Sequence, residues 1–211
     1  MCGITGWVDF ERDLREERGI AQDMTDTMAC RGPDDEGLWT ARHAAIGHRR
    51  LAIIDLAGGR QPMVAEEEGR EPAVLTYSGE VYNFEELRAE LSGLGHRFRT
   101  RSDTEVVLRA YLEWGEELAG HLNGMYAFAV WDARSERLLL VRDRMGIKPL
   151  YYYPTLTACC SAPSPRRSWP TRSPAACSTP TGCANCWRSS RRRSTASSPA
   201  CTRCAPARPS P

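Results

Sequence analysis

Met1-Cys2-Gly3-Ile4-Thr5-Gly6-Trp7-Val8-Asp9-Phe10 opens the chain, and two features of this stretch decide how the rest is read. Ile4, Gly6, Val8 and Phe10 alternate with Thr5, Trp7 and Asp9, the period of a strand with one buried face. The strand starts directly behind Cys2, so sheet pairing rather than a frayed end would hold that residue. A cysteine is also small enough in second position for Met1 to be removed, which leaves a thiol and a free α-amine on one backbone unit. An α-amine titrates at roughly 7.7–8.0 and can take the proton of a thiol near neutral pH. One residue then supplies both nucleophile and base. A lone second-position cysteine is more often chance, so the remainder of the chain has to decide.

Outward from this strand the pattern is a mixture of periods. Ile20, Met24 and Met28 recur at helical spacing, and Cys30-Arg31-Gly32-Pro33-Asp34 closes that helix. Trp39 and the run Ala44 to Ile54 predict two strands, with a loop from Asp55 to Gly59. Ala73 to Tyr77 predicts another, running into Ser78-Gly79-Glu80. Phe84, Leu87, Leu91 and Leu94 mark a helix with Asn83 and Glu86 spaced as a cap pair, and His96 to Thr100 reads as a short strand. Ser102-Asp103-Thr104-Glu105 is a clearer capping box before a helix that buries Val106, Val107, Ala110, Tyr111 and Trp114. Met125 to Trp131 and Arg137 to Val141 predict a hairpin, and Leu150 to Tyr153 a last strand. About eight strands and three or four helices, without regular alternation, favour an α+β layered fold over a doubly wound one.

Composition divides the chain near Tyr153-Pro154-Thr155. Residues 155–211 hold nine Arg, seven of the nine Cys, and no Lys, Asp, Glu, Ile, Val, Phe, Tyr or Met; residues 1–154 hold 19 Lys+Arg against 27 Asp+Glu. The tail lacks the apolar area that offsets ordering entropy, and disorder is the expectation for it. Cys183-x-x-Cys186 and Cys201-x-x-Cys204 have zinc-site spacing, which with Arg191-Arg192-Arg193 would suggest a ribbon touching nucleic acid. The missing glycine knuckles and strand formers, and the surplus Cys159, Cys160 and Cys177, argue against it, so neither a metal nor a nucleic-acid partner is expected. No apolar run approaches membrane-spanning length, and the charged segment Asp9 to Arg18 excludes a signal-peptide core. A cytoplasmic, reducing location is the expectation, and it suits an exposed terminal thiol.

Cys2-Gly3-Ile4, Arg31-Gly32-Pro33-Asp34, Arg50-Leu51-Ala52-Ile53-Ile54-Asp55, Ser78-Gly79-Glu80-Val81-Tyr82-Asn83, Asp103 and the segment Asp143 to Tyr152 occur together in this order. In these motifs residues 2–154 resemble the glutaminase domain of glutamine-dependent asparagine synthetases, class II glutamine amidotransferases among the N-terminal nucleophile hydrolases. The resemblance implies a four-layer αββα sandwich and hydrolysis of L-glutamine. It implies Cys2 as nucleophile, Gly79 N–H and the preceding residue as oxyanion donors, Arg50 for the substrate carboxylate and Asp103 for its ammonium. It implies Glu80, Leu51, Ile53 and Ile54 as further substrate-binding positions, although the three apolar residues can equally be core. Ser78 stands where the family commonly has asparagine, and a hydroxyl is a shorter donor than an amide; losing one such donor typically costs about 10²–10³ in rate. Cys30, where histidine is common, is read as a structural, half-buried thiol.

The glutaminase half needs no cofactor. ATP and Mg belong to the synthetase domain that the family carries in cis and that is absent from these residues. Family members continue past Tyr153 with further strands, so the domain is expected to be incomplete at its C-terminal end, and the abrupt change in composition is that of a stretch read in a shifted frame. Two alternatives stay open at this level: an amidotransferase feeding another acceptor, such as a sugar phosphate, a phosphoribosyl compound or a β-lactam precursor, and a catalytically dead truncated product.

Overall fold

A computed structural model describes residues 1–52, 58–66, 71–154, 158–162 and 185–187. The strands are β1 (Gly3–Asp9), β2 (Asp35–Thr40), β3 (Ala44–Arg50), β4 (Met63–Ala65), β5 (Ala73–Val81), β6 (Gly124–Asp132), β7 (Arg137–Arg142), β8 (Tyr151–Pro154), β9 (Ala158–Ala162) and β10 (Asn185–Trp187). The helices are α1 (Arg18–Asp26), α2 (Phe84–Gly93), α3 (Asp103–Trp114) and the short α4 (Leu118–His121). Among the described residues these strands form two antiparallel five-stranded sheets, in the orders β2-β3-β1-β9-β8 and β10-β7-β6-β5-β4.

Three apolar clusters stack these elements. Leu14, Ala21 and Ala45, with Trp7 and Leu38, lie between α1 and the first sheet. Ile4, Val8, Ile46, Val74, Ala129 and Trp131 are among those that fill the space between the sheets. Leu75, Tyr77, Phe128 and Val130 meet Leu87, Leu91, Val107 and Tyr111 where the second sheet packs on α2 and α3. The central strands β1, β3, β5 and β6 are thus buried along most of their length on both faces, whereas β2 at a sheet edge is only half-buried.

The predicted strand at the N-terminus forms, with Ile4 and Val8 buried between the sheets. Met24 in α1 and Met28 just beyond its end are buried, whereas Ile20 is exposed. The predicted strand over His96 to Thr100 does not form. The buried Glu105 carboxylate collects the backbone N–H groups of Arg99 and Thr100 instead, at 2.7 to 3.0 Å. The Arg88 guanidinium binds the carbonyls of Thr100 and Ser102. Side chains therefore satisfy that backbone, and no partner strand is needed. Asn83 does not cap α2 through its side chain, because its amide bridges the His121 carbonyl and the Asn123 N–H. Ser102 does cap α3, accepting from Glu105 N. Cys30 is exposed, not half-buried, since α1 ends at Asp26 and Met28 takes the core position after it.

The first sheet runs past the expected boundary at residue 154. β9 lies between β1 and β8, and Cys159 is buried among the inter-sheet residues. Small side chains suffice there, because the two flanking strands satisfy the backbone of β9. The rest of the stretch expected to be disordered lies, apart from β10, outside the described residues. Among the described residues no helix is long and apolar enough to cross a membrane.

Candidate active site

Cys2 is fixed from three sides. Gly3 pairs with Arg49, which brings Cys2 to the end of β3. The Leu51 N–H points at Cys2 Sγ at 3.4 Å. The Cys2 carbonyl accepts from Arg31 Nε at 3.3 Å and from Ser78 Oγ at 3.2 Å. The Arg31-to-Asp34 loop explains itself in this setting. Gly32 presses on the β3 backbone so closely that a Cβ would collide with the Arg49 carbonyl. Asp34 N–H donates to the Arg50 carbonyl at 3.0 Å, and Ala52 N–H donates to Asp34 Oδ2 at 2.8 Å. One loop therefore clamps both the cysteine and the end of the strand that carries Arg50.

The second wall is an edge of β5. Among the described residues β4 pairs only with Ala73, Val74 and Leu75, and no strand covers the edge from Tyr77 to Val81. Tyr77 N–H donates to Gln61 Oε1 at 2.6 Å, and Val81 N–H to Asp103 Oδ2 at 3.2 Å. N–H groups two apart in a strand share a side. Gly79 N–H therefore lies between these two on the same edge. Its cross-strand neighbour Tyr126 has its own carbonyl turned away to Asp143 N–H, which agrees with that placement. Gly79 also has no room for a side chain, since a Cβ would sit 2.6 Å from Tyr126 Cα.

A cavity of about 170 Å³ opens between the walls, lined by Cys2, Arg50, Ser78, Gly79, Glu80 and Asp103, among others. Arg50, Ser78 and Asp103 are 5%, 4% and 6% exposed, whereas Glu80 is an exposed residue at the rim. The Asp143 carboxylate, through Ile147 N–H and Lys148 N–H, and the Arg142 guanidinium, through the carbonyls of Gly146 and Lys148, shape a turn that delivers Lys148 to the same cavity. Met1 lines it as well, with Sδ 3.4 Å from Lys148 Nζ. Behind Arg50, one step deeper between the sheets, His48 Nδ1 lies 3.0 Å from Thr76 Oγ1. The Thr76 hydroxyl donates to the Gly47 carbonyl, so the ring must donate from Nδ1, and Nε2 has no partner among the described residues. Burial and the nearby Arg50 charge hold the His48 pKa down to about 3. The ring is neutral at physiological pH.

A thiol at the chain start, a strand-edge N–H, a buried guanidinium and a buried carboxylate thus face one small cavity. A family profile described as a glutamine amidotransferase domain matches residues 1–164. The chain belongs to the glutamine amidotransferase domain family. Asparagine synthetase [glutamine-hydrolyzing] 3 of Bacillus subtilis is 51% identical over 152 residues, covering 72% of this chain and 25% of that protein. Asparagine synthetase B of Escherichia coli is 40% identical over 151 residues, covering 72% of this chain and 26% of that one. The chain therefore spans about a quarter of the length of these relatives. A solved glutamine phosphoribosylpyrophosphate amidotransferase from Bacillus subtilis superposes with a TM-score of 0.65 at 20% identity, over 77% of this chain and 42% of that one. That likeness is one of fold.

Within this glutamine amidotransferase domain, Cys2, Arg50, Leu51, Ser78, Gly79, Glu80 and Asp103 all come to the one cavity. Ile53 and Ile54 lie outside the described residues. The Ser78 hydroxyl, expected as an oxyanion donor, is directed at the Cys2 carbonyl. Gln61, Tyr77, Thr104, Met125 and Lys148 also line the cavity, although no motif marks them as site residues. Tyr77 could have been found, because strand alternation from Ser78 turns it toward the helix that begins at Asp103. Gln61 lies in an irregular stretch with no period to read. Among the described residues no group of three or more His, Cys, Asp or Glu is arranged to hold a metal ion.

Proposed function

We propose that this domain hydrolyses the side-chain amide of L-glutamine and is the ammonia-releasing half of an asparagine synthetase-like enzyme, built as a four-layer αββα sandwich of the N-terminal nucleophile hydrolase type. The observation that carries this reading is the meeting of Cys2, Gly79, Arg50 and Asp103 at one cavity. Opposite charges on a buried Arg and a buried Asp suit the α-carboxylate and α-ammonium of a zwitterion, and a guanidinium fork matches a carboxylate. Removal of Met1 frees the α-amine of Cys2 and clears a side chain from the cavity. The amine takes the thiol proton, and the thiolate attacks the amide carbon. Charge on the former carbonyl oxygen rests on Gly79 N–H, with Ser78 as second donor if its hydroxyl turns from the Cys2 carbonyl. The carbon–nitrogen bond breaks, and ammonia leaves with the proton returned by the amine. Water then attacks the thioester, releasing glutamate and restoring the thiol. Leu51 and Glu80 complete the substrate contacts.

This half requires no metal or cofactor. In the longer relatives' arrangement, ATP and Mg would act in a synthetase portion joined in cis, where ammonia would meet an activated aspartate. A cytoplasmic setting would keep the terminal thiol reduced. The test is ammonia release from glutamine by the chain, with Cys2→Ala as the comparison. Release is expected from the first and none above background from the second. Equal release from both, or none from the first, would overturn it.

A further inference from the structure

Asp103 stands at the first turn of α3, 6% exposed, and among the described residues its carboxylate has two hydrogen-bond partners. Tyr77 Oη donates to Asp103 Oδ2 at 2.7 Å, and Val81 N–H donates to the same oxygen at 3.2 Å. Both bonds fall on Oδ2, which leaves Oδ1 as the oxygen for an incoming cation. A second tie runs beside the first. Gln61 accepts from Tyr77 N–H at 2.6 Å, and its amide nitrogen reaches Thr104 Oγ1 at 3.5 Å, next along α3. The start of α3 is thereby held to the open edge of β5 at the level of Gly79. We propose that Tyr77 is a positioning residue for recognition of the substrate α-ammonium: its hydroxyl fixes the rotamer of Asp103 so that Oδ1 faces the cavity that Cys2 enters. This rests on the glutamine-hydrolase reading and adds to it the group that aims the carboxylate.

The chemistry suits that role. Burial and then the Asp103 charge hold the Tyr77 phenol far above its ordinary pKa, so it remains a proton donor across any workable assay range. The ring itself is core, packed on α2 and α3 and tilted against Phe128 at 6.2 Å between centroids. Tyr77→Phe keeps that packing and deletes only the bond to Oδ2. Asp103 would then keep the Val81 N–H alone, and its carboxylate could rotate away from the ammonium.

The experiment measures binding by calorimetry in a Cys2→Ala background, where ligand is not consumed. The two probes are glutamine and glutaramate, which is glutamine without its α-amino group. Tyr77→Phe is expected to weaken glutamine by on the order of tenfold, the size of one charge-assisted hydrogen bond. Glutaramate should be unchanged within about twofold. A merely structural role would weaken both probes alike, and that result, or no change in either, overturns the proposal. Asp103→Asn in the same background separates the levels. If it leaves glutamine affinity intact, the assignment of Asp103 to the ammonium falls, and the role of Tyr77 falls with it. If it abolishes the preference for glutamine while Tyr77→Phe preserves it, only the role of Tyr77 is lost.

Discussion

Ser78 donates its hydroxyl to the Cys2 carbonyl at 3.2 Å, so at rest it braces the proposed nucleophile rather than the space where an oxyanion would form. An asparagine there would carry its amide further into the cavity. Ser78→Asn is therefore expected to raise kcat by about tenfold with little change in KM, since such a donor acts mainly in the transition state. Steady-state ammonia release checks this, and a large fall in kcat would mean that the brace on Cys2 matters more than a second donor. His48 gives a prediction in pH. An unfolded histidine binds a proton near pH 6.5, but this one does not until about pH 3. The unfolded chain thus binds more protons between these values, and folding stability falls as pH drops through them. His48→Gln should remove up to about 1.4 kcal/mol per pH unit from that slope, read by urea unfolding at pH 7, 5 and 4. Cys2, Arg50 and Asp103 could be singled out from the sequence through the motifs that resemble the family, and the fold brings them to one cavity. The partners of Ser78 and His48 could not be, because they come from strands distant in the chain.

Among the elements, the strand directly behind Cys2, the hairpin of β6 and β7 and the capped start of α3 followed directly from period and turn chemistry. The segment His96 to Thr100 did not, because Glu105 replaces a neighbouring strand as its hydrogen-bond partner. An apolar–polar alternation reports which side is buried but not what satisfies the backbone. Thr100 Oγ1 also donates to Glu105 Oε2 at 2.7 Å, so one buried carboxylate serves three donor groups. Glu105→Ala leaves them without an acceptor and is expected to cost about 3 kcal/mol of stability, measured by chemical denaturation. Amide exchange should quicken first at Arg99 and Thr100. A cost below about 0.5 kcal/mol would mean that water replaces the carboxylate freely.

At the scale of the molecule, the composition break near residue 154 does not coincide with the end of the sheet, and composition could not reveal this. β9 uses small residues between two partner strands, where burial of large side chains is not required. A chain ending at Pro154 would strip a partner from β1, the strand that positions Cys2, and from β8. Compared with a chain ending at Ala162, it should melt lower and aggregate more readily through the exposed edge; equal melting temperatures would show that β9 adds nothing to the sheet. The central claim is that Cys2, as the mature N-terminal residue, attacks the glutamine amide. Its most direct test is intact-mass and peptide mapping after reaction with a diazoketone analogue of glutamine. The expected result is a chain lacking Met1, with one adduct on Cys2 that glutamine prevents. Adduct on the exposed Cys30 instead, or full glutaminase activity in a chain that retains Met1, would contradict it.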